Sequence, residues 1–293
     1  MLPTKTTELK PAGRIGVGYH LHQRLMSIIR YTIVIILSLL ALFPIVVMVL
    51  TSLKTRSLVF TIPPVLLFKP HFENYTYVLF GRDFFRFFIN SVIVGLGATI
   101  SSVLVGALAA YGLARFHFLG RRPIGTLVLF LRMVSPVIVV IPVFILYSLF
   151  GLSGKRLGLI LIYVALNLPF CIWVLRAFIA EVPIEIEESA LIDGCGEGAI
   201  FFRMILPLIA PGTSVAAIFT FRICWNEFIL SLVLTNRYTR TLPVGVSLFI
   251  TETGIEWGQI TAIATIIALP AFVFTFVAAK NLIMGLTAGA VKG

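Results

Sequence analysis

The sequence predicts an all-α, polytopic membrane protein of six transmembrane helices. Its composition, the length of its apolar runs and the scarcity of charge within them all lead there. Of 293 residues, 59% are hydrophobic and 12% charged, and the mean hydropathy is +1.06. A soluble domain carries about a quarter charged residues, so this balance suits a chain dissolved in lipid. A hydrocarbon core of about 30 Å takes about 20 apolar helical residues, and only helices or closed barrels satisfy the backbone there.

Residues 1–26 are polar and read as an arm, not a signal peptide. The apolar run behind them is too long for an h-region and has no small-residue cleavage site. The first span lies in 27–53, where Tyr31 to Leu53 carries no charge. Residues 54–86 form a loop, and a core over 87–281 holds five further spans before a tail at 282–293. Those spans are Phe87–Ala114, Pro123–Phe150 (interrupted by Arg132), Leu157–Leu175, Gly212–Leu234 (with Arg222 and Glu227) and Trp257–Ala279. Pro44, Pro136, Pro142, Pro169 and Pro270 fall inside spans, where each removes a backbone donor and tends to kink its helix. Gly106, Ala110 and Ala114 recur every fourth residue, a spacing that lets helices approach closely in lipid.

An even number of spans puts both termini on one side. With the termini cytoplasmic, Lys and Arg number twelve inside: Lys5, Lys10, Arg14, Arg24, Arg30, Arg115, Arg121, Arg122, Arg176, Arg203, Lys280 and Lys292. Nine fall outside: Lys54, Arg56, Lys69, Arg82, Arg86, Lys155, Arg156, Arg237 and Arg240. The positive-inside rule favours this orientation by a small margin.

Of twelve acidic residues, six lie between Glu181 and Glu197. Pro183 suits a helix start, Glu185, Glu187 and Glu188 suit its positive dipole end, and Asp193-Gly194 suits a left-handed stop. A second amphipathic run, Ala199–Ile205, leads into Leu206-Pro207. The product is a helix–turn–helix too polar for lipid. An acidic segment is also repelled by anionic leaflets, and a solvated loop has no need of Ile200, Phe201, Phe202 and Met204. A protein docking site fits better.

Glu188-Ser189-Ala190 through Asp193-Gly194, with Ile205-Leu206-Pro207, resembles the EAA signature of ABC-importer permeases. Further matches are Glu73-Asn74-Tyr75, Phe88 to Ser91, Ala109 to Arg115, Trp225-Asn226-Glu227-Phe228, Arg240-Thr241-Leu242-Pro243 and the terminal Gly285 to Gly293. Together they resemble the MalG-like permease of carbohydrate importers, with Ser189 and Cys195 replacing the usual alanines. The resemblance implies a type I (MetI-like) permease fold with 183–206 as the coupling loop. Its docking residues would be Glu187, Glu188, Ser189, Ala190, Asp193, Gly194, Leu206 and Pro207. Implied partners are a MalF-like second permease, on which the first span would pack, two ATP-binding cassette subunits, an extracytoplasmic solute-binding protein and the bilayer, with no nucleic acid. ATP and Mg would be held by the partner ATPase, so the chain itself takes no cofactor and is no enzyme.

The missing motifs agree with this. No Walker A sequence is present; Gly154-Lys155-Arg156 has Leu149 where the first Gly belongs and Arg where Ser or Thr should follow. Neither HExxH nor GxSxG occurs, no span shows a metal set, and Cys171, Cys195 and Cys224 lie too far apart in sequence for a metal motif. A secondary transporter or channel, for which the acidic loop would be incidental, is the rival class.

A charge at the bilayer centre costs about 2.5–3.5 kcal/mol on insertion scales, so such groups face a partner or a cavity. Two readings stay open. Arg222 forms a structural pair with Glu227 or with a partner subunit, or Arg132, Asn167, Arg222, Trp225, Asn226 and Glu227 line a translocation path. In the second reading Asn226 and Trp225 offer a hydrogen bond and a stacking face to a sugar, with Tyr147 a weaker candidate. Arg222 departs from the apolar residue usual in the family. The outer loops carry nine bases against Glu73, Asp83, Glu252 and Glu256. One-signed clefts concentrate opposite charge, so an acidic oligosaccharide such as alginate is an expected cargo, with a polyol or glycerophosphodiester as the alternative.

Overall fold

The computed structural model describes residues 17–81, 83–251 and 254–290. The expectations for Lys5, Lys10, Arg14, Arg82, Glu252 and Lys292 fall outside these residues. The chain forms two compact units, Met1–Leu50 and Thr51–Gly293. The first is represented by α1 (Val17–Ser52), a helix that keeps Pro44 within it. Its stretch Arg24–Ser52 has a mean hydropathy of 3.2, ample for a span.

The second unit opens with α2 (Arg56–Val59) and α3 (Glu73–Gly81), so the expected loop 54–86 is partly helical. The long helices α4 (Phe84–Arg115) and α7 (Arg156–Glu181) pack side by side. Small residues make this possible: a Cβ at Gly106 would lie 2.6 Å from the Cβ of Cys171. Their apolar flanks and Ile200, Phe201, Ile205 and Ile209 form a buried cluster at one end of the bundle.

One expected span is bent and another is interrupted. Pro123–Phe150 divides into α5 (Arg121–Leu131) and α6 (Pro136–Leu149), 99° apart. The break falls at Arg132–Ser135, and Pro136, with no N–H to contribute, begins the next helix. Downstream, α8 (Ile184–Ile192) is followed by α9 (Glu197–Ile200), a π-helical turn (Phe201–Ile205) and α10 (Leu206–Leu208). This run bends by 77° into α11 (Ala210–Asn226). The expected helix Gly212–Leu234 stops at Asn226 and restarts as α12 (Ile229–Leu234). After α13 (Leu242–Ser247), a two-residue antiparallel hairpin, β1 (Ile250–Thr251) and β2 (Gly254–Ile255), is the one sheet among the described residues. The chain finishes with α14 (Trp257–Ala290). Three long apolar helices, two bent pairs and the apolar stretch Trp257–Val273 of α14 are compatible with six spans.

At the end where α4 and α7 begin, Asn90 is fully buried. Its Nδ2 donates to the carbonyls of Tyr238 and Arg240, both at 2.9 Å, while Arg156 Nε donates to its Oδ1 at 2.7 Å. Ser91 Oγ accepts from the Leu242 N–H. The two sequence blocks around Asn90 and Arg240 are thereby joined across 150 residues.

Candidate functional site

The acidic segment is clamped to the end of the bundle where α4 and α7 finish. Glu187, in the first turn of α8, is 6% exposed. Tyr111 Oη donates to its Oε2 at 2.8 Å, and Arg115 Nε to its Oε1 at 2.6 Å. Arg115 Nη2 also donates to the carbonyl of Val182, at the end of α7, at 2.7 Å. Ala190, one turn along on the same face, is buried as well. Charge-assisted bonds of this kind are short and strong, and burial raises the penalty for removing either partner.

Sequence grouped Glu187 with Glu188; the structure turns Glu187 inward and Glu188 out. Ile200 and Phe201 fill the chain's own core, the Phe201 ring lying 5.2 Å from Tyr111, so a docking partner is not what their apolar character answers. The face left outward carries Ile184, Glu188, Leu191, Ile192 and Asp193, with Ile192 87% exposed. Ser189 Oγ donates back to the Glu185 carbonyl. Gly194 ends the helix at φ +83°, and the Cys195 N–H returns to the Ala190 carbonyl at 3.0 Å. Positive φ is what a left-handed helix stop requires of glycine. Leu206 is half-buried and Pro207 exposed.

Within the spans the polar candidates separate into two cavities. One, of about 220 Å³, is lined by Arg132, Tyr163, Asn167, Phe170, Cys224 and Glu227 among others. Both helix breaks contribute to it: Arg132 from the α5–α6 break and Glu227 from the α11–α12 break. Irregular backbone at membrane depth is tolerated where it lines a cavity or is covered by protein. Glu227 accepts from Tyr163 Oη at 2.7 Å and from the N–H groups of Leu230 and Ser231, capping α12. It does not pair with Arg222. The Arg132 guanidinium lies 4.5 Å from the centre of the Phe170 ring, a cation–π contact. Asn167 is buried and donates to the Tyr163 carbonyl at 2.8 Å.

The second cavity, of about 650 Å³, runs between α11 and α14 and is lined by Arg222, Asn226, Ala264, Ala268 and Phe272 among others. Asn226 Nδ2 donates to the Arg222 carbonyl, one turn back. Trp225 is in neither cavity. It is 1% exposed, stacked on Phe221 at 5.4 Å with Nε1 on the Ile267 carbonyl, so its face is closed to a sugar ring. Tyr147 is likewise a core residue.

Most of the cations expected on the outer side have internal work. Lys54 is buried with Nζ 5.4 Å over Phe68, Arg56 pairs with Glu256 at 3.2 Å, and Arg86 and Arg237 share Asp83. With Arg156 held by Asn90, the surplus that suggested an anion-attracting face is smaller than the residue count implies. Sequence reasoning missed the roles of Tyr111, Arg115 and Tyr163, whose signal exists only once distant helices are paired.

Broken helices around polar cavities, and an acidic helix–turn–helix clamped to one end of the bundle, define a transport permease. The chain belongs to the family described as binding-protein-dependent transport system inner membrane component, whose model matches residues 102–285. It is thus an ABC transporter permease, a multi-pass subunit of the inner membrane. The trehalose transport system permease protein SugB of Mycobacterium tuberculosis is 38% identical over 76% of this chain and 82% of its own. The sulfoquinovosyl glycerol transport system permease protein SmoH of Agrobacterium fabrum is 33% identical over 90% and 94%. The fold matches a chain in the crystal structure of a bacterial ABC transporter involved in the import of the acidic polysaccharide alginate. The TM-score is 0.75 at 22% identity, covering 88% of this chain and 97% of that one.

Proposed function

We propose that this chain is one of two permeases of an ATP-driven importer for an oligosaccharide, and that 183–206 is the loop through which a partner ATPase moves it. The Glu187 clamp carries this reading. A helix seated on α4 by a buried, doubly bonded carboxylate transmits displacement to the spans instead of yielding locally, while Glu188, Leu191, Ile192 and Asp193 remain free for a partner. The α8 end is then cytoplasmic, with both termini on that side. Two ATPase subunits bind ATP and Mg, a MalF-like permease completes the path, and an extracytoplasmic binding protein delivers cargo to the Asn90 end. Closure of the ATPase pair pushes α8, and the bundle opens alternately to the two sides.

A sugar cargo is supported by relatives that serve trehalose and sulfoquinovosyl glycerol transport. An acidic sugar is favoured by Arg222, the one charged group among the described residues lining the second cavity, and by the likeness to the alginate importer. ATPase stimulation of the reconstituted importer by acidic against neutral oligosaccharides tests the cargo. Stimulation by neutral disaccharides alone would end the acidic reading. Retention of an ATPase subunit on purification tests the importer itself.

A further inference from the structure

Where α4 passes into α5, a cavity of about 790 Å³ is lined by Arg121, Arg122, Arg176 and His117, beside Phe118 and Leu119, and by no acidic residue among those described. We infer that this corner binds the phosphate of an anionic phospholipid headgroup.

The three arginines are not equivalent. Arg121 is occupied: its Nε and Nη2 donate to the carbonyls of Leu113 and Ala114, which α4 leaves open at its end. Arg122 and Arg176 are exposed and make no ion pair among the described residues. Arg176 reaches across from α7 to lie on α5, where a Cβ at Gly125 would come 3.2 Å from its Nη1. The absence of a side chain at Gly125 lets Arg176 from one helix line the same cavity as Arg122 from another. A guanidinium fork donates paired hydrogen bonds to phosphate oxygens, and a cavity lined by two such groups suits that ligand.

Location selects the source of that phosphate. The corner lies just beyond Arg115, the last residue of a span-length helix, at the depth of headgroups. Phe118 is exposed and Leu119 is 103% exposed. Such side chains are unfavourable in water and favourable among the upper acyl carbons, below a charge on the headgroup layer. Basic pockets between spans are a recurrent form of anionic headgroup site.

Native mass spectrometry of the full-length chain purified together with its associated subunits, titrated with phosphatidylglycerol, phosphatidylcholine or glycerol 1-phosphate, tests this. Wild type should retain phosphatidylglycerol well above the other two. Arg122→Gln with Arg176→Gln should weaken that retention about thirtyfold, from about fivefold per cation at an anionic surface. Lys155→Gln, at the opposite end, should leave it unchanged, and Arg122→Lys with Arg176→Lys should restore part, excluding misfolding. Equal retention by wild type and the glutamine pair would overturn the site. Equal binding of phosphatidylcholine would deny its charge preference, and equal binding of glycerol 1-phosphate would make it a free-phosphate site. Loss of a protein subunit from the glutamine pair with lipid retention intact would reassign the corner to a protein partner.

Discussion

Arg115 Nε sits 2.6 Å from Glu187 Oε1, with the Arg115 side chain 13% and the Glu187 side chain 8% exposed. The pair joins the last residue of α4 to the first turn of α8, 72 residues on. Removing one partner of a buried pair leaves an uncompensated charge, at a cost of about 3–5 kcal/mol. Glu187→Ala and Arg115→Ala should each lower the thermal stability of the purified permease by a large amount. The double variant should lose much less than the sum. Additive losses would show that the two groups do not act together.

Glu188 faces outward, so a change there should spare the fold. Glu188→Lys should leave insertion and thermal stability unchanged while ATP hydrolysis continues without uptake in proteoliposomes. Gly194→Val must hold a left-handed backbone, costing about 1–2 kcal/mol, and should uncouple in the same way. Normal uptake by both variants would remove the docking role of this face.

Glu227 accepts two N–H groups of α12 and the Tyr163 hydroxyl. Glu227→Ala should destabilise by about 2 kcal/mol, the upper end for a lost helix cap. Tyr163→Phe should cost less, about 1 kcal/mol for one hydrogen bond. Thermal unfolding in a fixed detergent ranks the two, and the reverse order would contradict the capping role.

Gly106 meets Cys171 with no room for another carbon. Gly106→Ala should destabilise by about 1–3 kcal/mol through overpacking, and Cys171→Gly on that background should recover most of it. Failure of the rescue would place the strain elsewhere.

Arg222→Gln should change cargo without changing stability, because its side chain lines a cavity instead of joining a pair. If acidic sugars are carried, ATPase stimulation by them should fall about tenfold or more, as for a lost charge-assisted hydrogen bond of about 1.5–3 kcal/mol. Stimulation by neutral sugars should persist. Equal loss for both classes would make Arg222 structural.

The sequence alone determined the membrane class, the position of the acidic helix–turn–helix and its glycine stop at Gly194. These are one-dimensional properties: apolar run length, helical period and the backbone freedom of a single residue. It also marked Arg132 and Glu227 as costly charges that need a setting. Only the tertiary structure decided what each setting is. Glu187 and Glu188 are chemically alike neighbours, yet helical geometry aims one at Tyr111 and Arg115 and leaves the other exposed. Trp225 reads as an accessible aromatic until Phe221 and the Ile267 carbonyl are seen to close over it. A pairing of Arg222 with Glu227 stays open until α11 stops at Asn226 and the carboxylate turns to cap α12. In each case the deciding partner lies on another helix or beyond a helix break, and pairing between helices is set by packing that no local pattern encodes.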